Sequence, residues 1–220
     1  MKTFKCIKLD ILKSKSIFKF LPFFLLICLV TTLAMDNAPA CWGILYLVFG
    51  GLIIVSNPFF VMSNISEVFT NMLPASVANR VFGRYLFGVI VMVVSALLGI
   101  AAEFFRMMVR GGISMKGIWV FTAAFLGAAL IVMSVEFLVL YFVTIRNAQI
   151  LSIVRMVPAF VLFFGANALM DAGVAEGGLG GMLQWIARNM TVLSLGILAA
   201  GMLFTLLCAV ITWLHEKSKY

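Results

Sequence analysis

Residues 41–62 have the sequence CWGILYLVFGGLIIVSNPFFVM, a run without a single charged side chain. A helix needs about 20 consecutive apolar residues to cross the hydrocarbon core of a bilayer, and this run is long enough. Five further apolar runs lie at residues 20–35, 85–102, 117–145, 148–170 and 190–214. Lipid offers the backbone no hydrogen-bond partners, and the period-2 alternation of a barrel strand is absent from these runs. They are therefore predicted to be helices.

The composition indicates a membrane protein along the whole chain. Of the 220 residues, 64% are hydrophobic and 11% are charged, whereas a soluble domain averages about 25% charged residues. At about 20 residues per span, this length accommodates about six spans joined by short loops. The sequence thus predicts an all-α integral membrane protein with a single transmembrane domain over residues 1–220.

The basic residues predict the orientation of this domain. The net charge is +8, and six of the 16 basic residues fall within residues 1–19. Six spans with both termini in the cytoplasm place most Lys and Arg residues inside, as the positive-inside rule requires. The third loop then carries Arg106 outside, and Glu103 is expected to offset part of its charge. Residues 1–19 become a basic cytoplasmic segment at the membrane interface, in contact with anionic lipid headgroups.

Several other classes of function find little support in the sequence. No groove of basic and aromatic residues is present that would hold a nucleic acid. The four cysteines (Cys6, Cys28, Cys41 and Cys208) show no C-x-x-C spacing, so neither a metal nor a redox site is predicted. A signal peptide ending at residues 38–40 (Ala-Pro-Ala) is disfavoured, because the basic region is long and the apolar run nearly spans a bilayer.

Residues 63–80, between the second and third spans, contain a short amphipathic pattern. Apolar residues recur at i, i+3, i+4 and i+7: Ile65, Val68, Phe69 and Met72. The pattern ends at Leu73 and Pro74, because proline disfavours the α conformation in the residue before it. A cytoplasmic helix of this kind either lies along the inner membrane surface or docks into a groove of a partner.

Two motifs are the most distinctive in the chain: LPASVANRVFGRYLFG at residues 73–88 and KLDIL at residues 8–12. Both resemble signatures of small ABC-2-type permeases, the membrane subunits of ATP-binding-cassette exporters. The matching positions of the longer motif are Leu73, Pro74, Ser76, Val81, Gly83, Arg84, Tyr85 and Leu86. The order and spacing of the apolar runs resemble the family over the whole chain.

The resemblance implies a permease subunit that moves a hydrophobic or amphipathic cargo (a peptide, a lipid or a drug) across the plasma membrane. It implies two partners, a second permease copy or paralogue and a cytosolic cassette ATPase that holds ATP and magnesium. The helix within residues 63–80 corresponds to the family's coupling helix, which docks on the ATPase. The coupling residues implied are Glu67, Phe69, Met72, Leu73, Pro74, Ser76, Arg80 and Arg84. The chain has no G-x-x-x-x-G-K-[ST] motif, so it is predicted not to be an enzyme and to bind no cofactor directly.

Glu136 lies deep within the fourth predicted span. A carboxylate at the centre of a membrane helix costs about 2.5–3.5 kcal/mol, so Glu136 is expected to face protein or water. It either lines the substrate path or makes a polar contact between helices or protomers. A stand-alone secondary carrier or channel is an alternative function, although that class favours internal repeats and several intramembrane ionisable groups. A non-transporting membrane scaffold or an immunity protein is a further alternative.

Overall fold

The computed structural model describes residues 2–15, 19, 21–34, 42–60, 76–110, 115–142 and 189–219. Within these ranges the chain forms six α-helices and no strand, which confirms the all-α prediction. The helices are α1 (Lys2–Lys13), α2 (Leu21–Ala34), α3 (Trp42–Phe60), α4 (Val77–Arg110), α5 (Met115–Phe142) and α6 (Met190–Lys217).

Three of the described helices are long and apolar enough to cross a membrane, over Val77–Val109, Met115–Phe142 and Met190–Lys217. Residues Gly43–Phe59 form a shorter apolar helix. These four helices coincide with the predicted second, third, fourth and sixth spans, and α2 coincides with the first. The predicted fifth span, residues 148–170, lies outside the described residues.

Helix α4 begins earlier than the predicted third span, 85–102. The Ser76 hydroxyl accepts a hydrogen bond from the Asn79 N–H at 3.3 Å, which satisfies one of the free donors at the start of the helix. The helix therefore starts at Val77, and the last residues of the predicted coupling segment 63–80 belong to α4. The remainder of that segment up to residue 75 lies outside the described residues.

Helix α4 also ends later than predicted, because it includes Arg106 and Arg110, which the sequence places in a loop. Arg106 Nη1 lies 3.7 Å from Glu103 Oε2, one helical turn away. Opposite charges at this spacing stabilise the helix that carries them. The prediction that Glu103 offsets the charge of Arg106 is confirmed.

Contacts between the long helices give their relative directions. Helices α3 and α4 are antiparallel, because Gly43 meets Glu103 and Phe59 meets Arg84. Helices α5 and α6 are parallel, because Ser134 and Thr205 are hydrogen-bonded while Phe142 stacks on His215. Six spans require both relations. The second and third spans (α3 and α4) must be antiparallel, and the fourth and sixth spans (α5 and α6) must be parallel.

Helices α5 and α6 approach each other closely at Gly127 and Gly201. A β-carbon at Gly127 would lie 2.6 Å from the Ile197 carbonyl oxygen, and one at Gly201 would lie 2.5 Å from the Gly127 oxygen. Only glycine allows the two backbones to touch, a common device where helices pack in a membrane. Further towards the C-terminal ends of both helices, the Ser134 hydroxyl donates to Thr205 Oγ1 at 2.9 Å. This buried polar contact also joins the two helices.

Candidate functional site

Helix α1 was predicted only as a basic interfacial segment, but it is an amphipathic helix packed against α4. Thr3, Cys6, Ile7, Asp10 and Ser14, all buried or partly buried, are spaced i, i+3, i+4, i+7 and i+11, and the partly buried Leu9 and Lys13 flank them. This spacing places the first five on one face and is visible in the sequence. Ile7 belongs to the same hydrophobic core as residues of α3, α4, α5 and α6, so α1 is an integral part of the bundle.

The first half of α1 crosses α4 at Gly83. A β-carbon at Gly83 would lie 3.1 Å from the β-carbon of Cys6, so a larger residue would push α1 away. Beside this crossing the Thr3 hydroxyl donates to Asn79 Oδ1 at 3.0 Å. Gly83 of the 73–88 motif therefore has a clear physical role, which is to let α1 approach α4.

The second half of α1 is held by an ion pair. Asp10 Oδ1 lies 3.6 Å from Arg84 Nη2, and the two side chains are 5% and 8% exposed. Removing one member of a buried pair leaves the other charge without compensation, which is strongly destabilising. The two segments that resemble the permease signatures, residues 8–12 and 73–88, thus meet through their charged residues.

Two aromatic side chains complete the surroundings of Arg84. Its guanidinium lies over the Phe59 ring, 4.3 Å from the centroid, and 5.7 Å from the Tyr141 centroid. The two aromatic rings pack edge to face at 5.2 Å. A partly desolvated cation over an aromatic face is stabilised by about 1–2 kcal/mol. We call Asp10, Phe59, Arg84 and Tyr141 the Arg84 cluster; its members come from α1, α3, α4 and α5.

The residues next to the Arg84 cluster attach α6 and the end of α1. Tyr85 and Thr212 share a hydrogen bond between their hydroxyls at 3.0 Å, which ties α4 to α6. The Asn57 amide lies 3.5 Å from the Lys13 carbonyl oxygen, which brings the end of α1 to α3. At this end of the bundle, therefore, five helices are joined by polar contacts around one arginine.

The predicted coupling residues fall into two groups. Glu67, Phe69, Met72, Leu73 and Pro74 lie outside the described residues. The other three lie at the start of α4.

Ser76 is exposed and caps α4, Arg80 is partly buried, and Arg84 is buried. The structure therefore places Arg84 inside the bundle, two turns from the point where α4 begins. Its partner Asp10 was part of a recognised motif but was not among the predicted site residues.

The position of the Arg84 cluster determines what it can do. Helix α3 ends at Phe60 and α4 begins at Val77, so Phe59 and Arg84 lie close to the two ends of the connection that contains the predicted coupling segment. A displacement of that connection would reach Phe59 at the end of α3 and Arg84 two turns into α4. Through them it would reach α1 by way of Asp10 and α5 by way of Tyr141.

Glu136 lies on the buried face of α5 and is 2% exposed. It directly precedes Phe137, whose ring packs against Phe59 at 5.0 Å and Tyr85 at 5.1 Å. The carboxyl is thus enclosed by protein, as the cost of exposing it to lipid requires. Its role as a substrate-path residue stays a prediction.

At the opposite end of the bundle a second polar group joins α3 to α4. Glu103 is 4% exposed, and its Oε1 accepts a hydrogen bond from the Gly43 N–H at 2.7 Å while Oε2 faces Arg106. The carboxylate therefore caps the first turn of α3, where the helix dipole favours negative charge. We call Gly43, Glu103 and Arg106 the Glu103 cluster.

The described cysteines give no sign of redox or metal chemistry. Cys6, Cys28 and Cys208 are free thiols, and no cluster of three metal-ligating side chains occurs in the part of the chain that the structure describes. Cys6 lies on α1, before the first predicted span. Partial burial raises the pKa of its thiol, and the Asp10 carboxylate adds to this, while Arg80 and Arg84 oppose it.

A protein-family model described as ABC-2 family transporter protein matches residues 5–215. This range includes both motifs, the helices α2 to α5 in full and most of α1 and α6. No curated protein and no solved structure matches the chain.

Proposed function

The chain belongs to the ABC-2 family of transporter proteins, and from this premise we propose that it is the membrane-spanning permease subunit of an ATP-driven exporter. A separate cytosolic cassette ATPase holds ATP and magnesium and supplies the energy. The permease acts in the plasma membrane with both termini in the cytoplasm, paired with a second copy or a paralogue. Its cargo is hydrophobic or amphipathic: a peptide, a lipid or a drug.

The observation that carries this proposal beyond family membership is the position of the Arg84 cluster. It lies where α3 and α4 meet the connection of residues 61–75, and it joins both helices to α1 and α5. A carrier or scaffold without a cytosolic motor has no need to link this connection to so many helices. A permease driven from outside the membrane does need such a link.

In the proposed mechanism the coupling segment docks on the ATPase, with Phe69, Met72 and Leu73 as apolar anchors and Glu67 as a polar contact. Pro74 ends the docking helix. Closure of the ATPase on ATP displaces this segment together with the ends of α3 and α4. The Arg84 cluster transmits the displacement to α1 and α5, and the bundle changes from inward-facing to outward-facing.

The remaining predicted residues have supporting parts in this mechanism. Ser76 fixes the first residue of α4 by capping it, so that a displacement is not absorbed by unwinding of the helix end. Arg80, one turn further on, faces the region of Cys6 on α1. Glu136 is proposed to line the cargo path or to make a polar contact with the second protomer.

A pull-down from native membranes tests the proposal. The tagged chain is purified in mild detergent, and the eluate is assayed for ATP hydrolysis. We expect a cassette ATPase to co-purify and to be lost when Phe69→Asp and Met72→Asp are introduced, because a carboxylate in an apolar docking surface is left unpaired. Ser66→Asp and Thr70→Asp add the same charge to the other face of the predicted helix, and this control variant is expected to retain the ATPase.

One result would overturn the permease proposal, and a second would overturn only the assignment of Phe69 and Met72 as the docking face. One is a chain that elutes alone, without nucleotide hydrolysis, under conditions that keep known cassette complexes intact; a secondary carrier or channel would then be favoured. The other is equal loss of the ATPase in both pairs of variants, which would show that any charge in the segment is disruptive. Phe59→Leu extends the test: we expect this variant to keep the ATPase bound but to weaken its stimulation by the permease, since it removes the ring under Arg84 and leaves the docking segment unchanged.

A further inference from the structure

The outer face of α1 combines exposed apolar side chains with lysines. Phe4 is 74% exposed and Ile11 is 45% exposed, and Lys8 and Lys15 are exposed as well. These four residues are spaced i, i+4, i+7 and i+11, which places them in one stripe along the helix. Leu12, at 59%, and Lys5 flank it. We call Phe4, Lys8, Ile11 and Lys15 the Phe4 stripe.

The opposite face of α1 is fixed to the bundle, so the Phe4 stripe has a defined position. The Asp10–Arg84 ion pair and the contact of Cys6 with Gly83 hold α1 against α4. An apolar side chain as exposed as Phe4 is unfavourable in water, because burying it would gain on the order of 2 kcal/mol per side chain. On a helix that cannot rotate, such residues favour a partner that covers this face.

The length of α4 places α1 at the level of the lipid headgroups. Between Arg84 and Glu103 the helix carries no charged residue. The intervening residues 85–102 span about 27 Å, close to the roughly 30 Å of a hydrocarbon core. Asn79, Gly83 and Arg84, which contact α1, therefore lie just outside one edge of that core. This is the depth at which lysines and phosphates of lipids meet.

We propose that the Phe4 stripe is a docking surface for anionic phospholipids of the leaflet on which α1 lies. Phe4 and Ile11 enter the boundary between headgroups and acyl chains, while Lys8 and Lys15 contact the phosphates. Amphipathic helices with this combination of side chains bind membrane surfaces in this way. The proposal rests on the membrane position of α4 and not on ATP-driven transport, so the two can fail separately.

The proposal has a consequence for the Arg84 cluster. Lipid that binds the outer face of α1 also favours the docked position of α1, in which Asp10 faces Arg84. Binding free energies of this kind are reciprocal. Anionic lipid is therefore expected to stabilise the folded bundle, and loss of the Asp10–Arg84 contact is expected to weaken lipid binding.

The test measures the thermal stability of the purified full chain in neutral detergent during titration with phosphatidylglycerol or phosphatidylcholine. We expect phosphatidylglycerol to raise the melting temperature and phosphatidylcholine to have a much smaller effect. Each lysine near an anionic surface contributes about fivefold to affinity. Lys8→Gln with Lys15→Gln should thus weaken the apparent affinity for phosphatidylglycerol on the order of 30-fold.

Three controls show whether the lipid response depends on the charge of the stripe, on the position of the lysines and on the salt concentration. Lys8→Arg with Lys15→Arg keeps both charges and is expected to keep the response. Lys217→Gln with Lys219→Gln removes the same charge from the end of α6, at the same end of the bundle as α1. It should weaken the affinity less than the α1 variant does, because Lys219 is paired with Glu216 and neither lysine belongs to the Phe4 stripe. The expected response also weakens as salt is raised, because exposed charges are screened.

Three outcomes would overturn the proposal. Equal stabilisation by the two lipids would show that headgroup charge is irrelevant. Equal losses in the α1 and α6 variants would show a response to net charge without a site. An unchanged lipid response in the α1 variant, combined with loss of a co-purifying ATPase, would assign the stripe to a protein partner.

Discussion

The two ends of the α3–α4 pair each contain a buried carboxylate and an arginine, and the pairs have similar lengths of 3.6 and 3.7 Å. Their connectivity differs. Arg84 meets a carboxylate from α1 and rings from α3 and α5, whereas Glu103 and Arg106 lie one turn apart on the same helix. The Glu103 cluster joins two helices through one helix cap, and the Arg84 cluster joins four.

This difference shows that the distance between two charges says little about their role. The Glu103 cluster is a local device that completes the first turn of α3 and fixes it to α4. The Arg84 cluster brings together segments far apart in the chain, and its loss would remove the ion pair between α1 and α4. A fold built in this way is firmly joined at the end where α3 and α4 meet the connection of residues 61–75, which suits the proposed transmission of a displacement.

The largest expected effect tests this asymmetry directly. Arg84→Ala leaves Asp10 buried without its cation and removes the contact with Phe59, so we expect a loss of about 3–5 kcal/mol in stability. Arg106→Ala is the matched variant in the Glu103 cluster. Its side chain is 18% exposed, and the buried Glu103 keeps its hydrogen bond from the Gly43 N–H, so a smaller loss than that of Arg84→Ala is expected. Thermal unfolding of the purified chain in detergent measures both.

A double variant distinguishes the ion pair from simple packing. Asp10→Asn combined with Arg84→Met leaves no charge buried, so it should be more stable than Arg84→Met alone. If the stability losses of Asp10→Asn and Arg84→Met simply add, the two residues do not interact as an ion pair. If Arg106→Ala costs as much stability as Arg84→Ala, the two clusters are equivalent and the asymmetry is wrong.

Much of the fold could be predicted from the sequence, because hydrophobic runs of spanning length leave the backbone no alternative to helices in lipid. Contacts between residues close in sequence could also be predicted. Glu103 and Arg106 are three residues apart, and the sequence predicts their pairing. The contact of Glu103 with Gly43 could not be predicted, since 60 residues separate them. Only the packing of α3 on α4 brings them together.

The Arg84 cluster shows the same boundary between what the sequence reveals and what it does not. Arg84 and Asp10 were each noticed within a motif, yet nothing in either motif says that they touch. The lysines of residues 1–19 indicate the orientation of the chain, and they dominate this segment. The helical spacing of Thr3, Ile7 and Asp10 between them is therefore easily missed. Hydropathy averages cannot reveal a helix whose buried face is partly polar.

An intermediate effect is expected at the α5–α6 crossing, which belongs to neither cluster. Gly127→Ala places a methyl group 2.6 Å from the Ile197 carbonyl oxygen, so the helices must separate at a cost of about 1–3 kcal/mol. Gly196→Ala is the matched control, since a β-carbon there meets nothing within 4 Å, and we expect it to be neutral or slightly stabilising. The same unfolding measurement applies. A Gly127→Ala loss as large as that of Arg84→Ala would indicate that the Arg84 cluster is no more important than ordinary close packing.

The smallest effect is a change in the reactivity of Cys6, and it reports on the Arg84 cluster without unfolding the protein. The thiolate is the reactive form, and burial together with the Asp10 carboxylate raises the pKa of Cys6. Alkylation should therefore be slow at neutral pH and reach half its maximal rate at a higher pH than for a free thiol. The rate is measured against pH in a chain whose other three cysteines are replaced by serine.

Asp10→Asn in the same background sharpens this measurement. It removes the carboxylate that raises the Cys6 pKa while Arg80 and Arg84 continue to lower it, so the pH profile should move to lower pH. If α1 also leaves α4, the loss of burial moves the profile in the same direction and raises the maximal rate. The corresponding change in the other cluster, Glu103→Gln, should leave the Cys6 profile unchanged, because Glu103 lies at the opposite end of the α3–α4 pair. A profile that moves equally in both variants would mean that the two ends of the bundle are coupled, and the contrast between a local cap and a multi-helix junction would no longer hold.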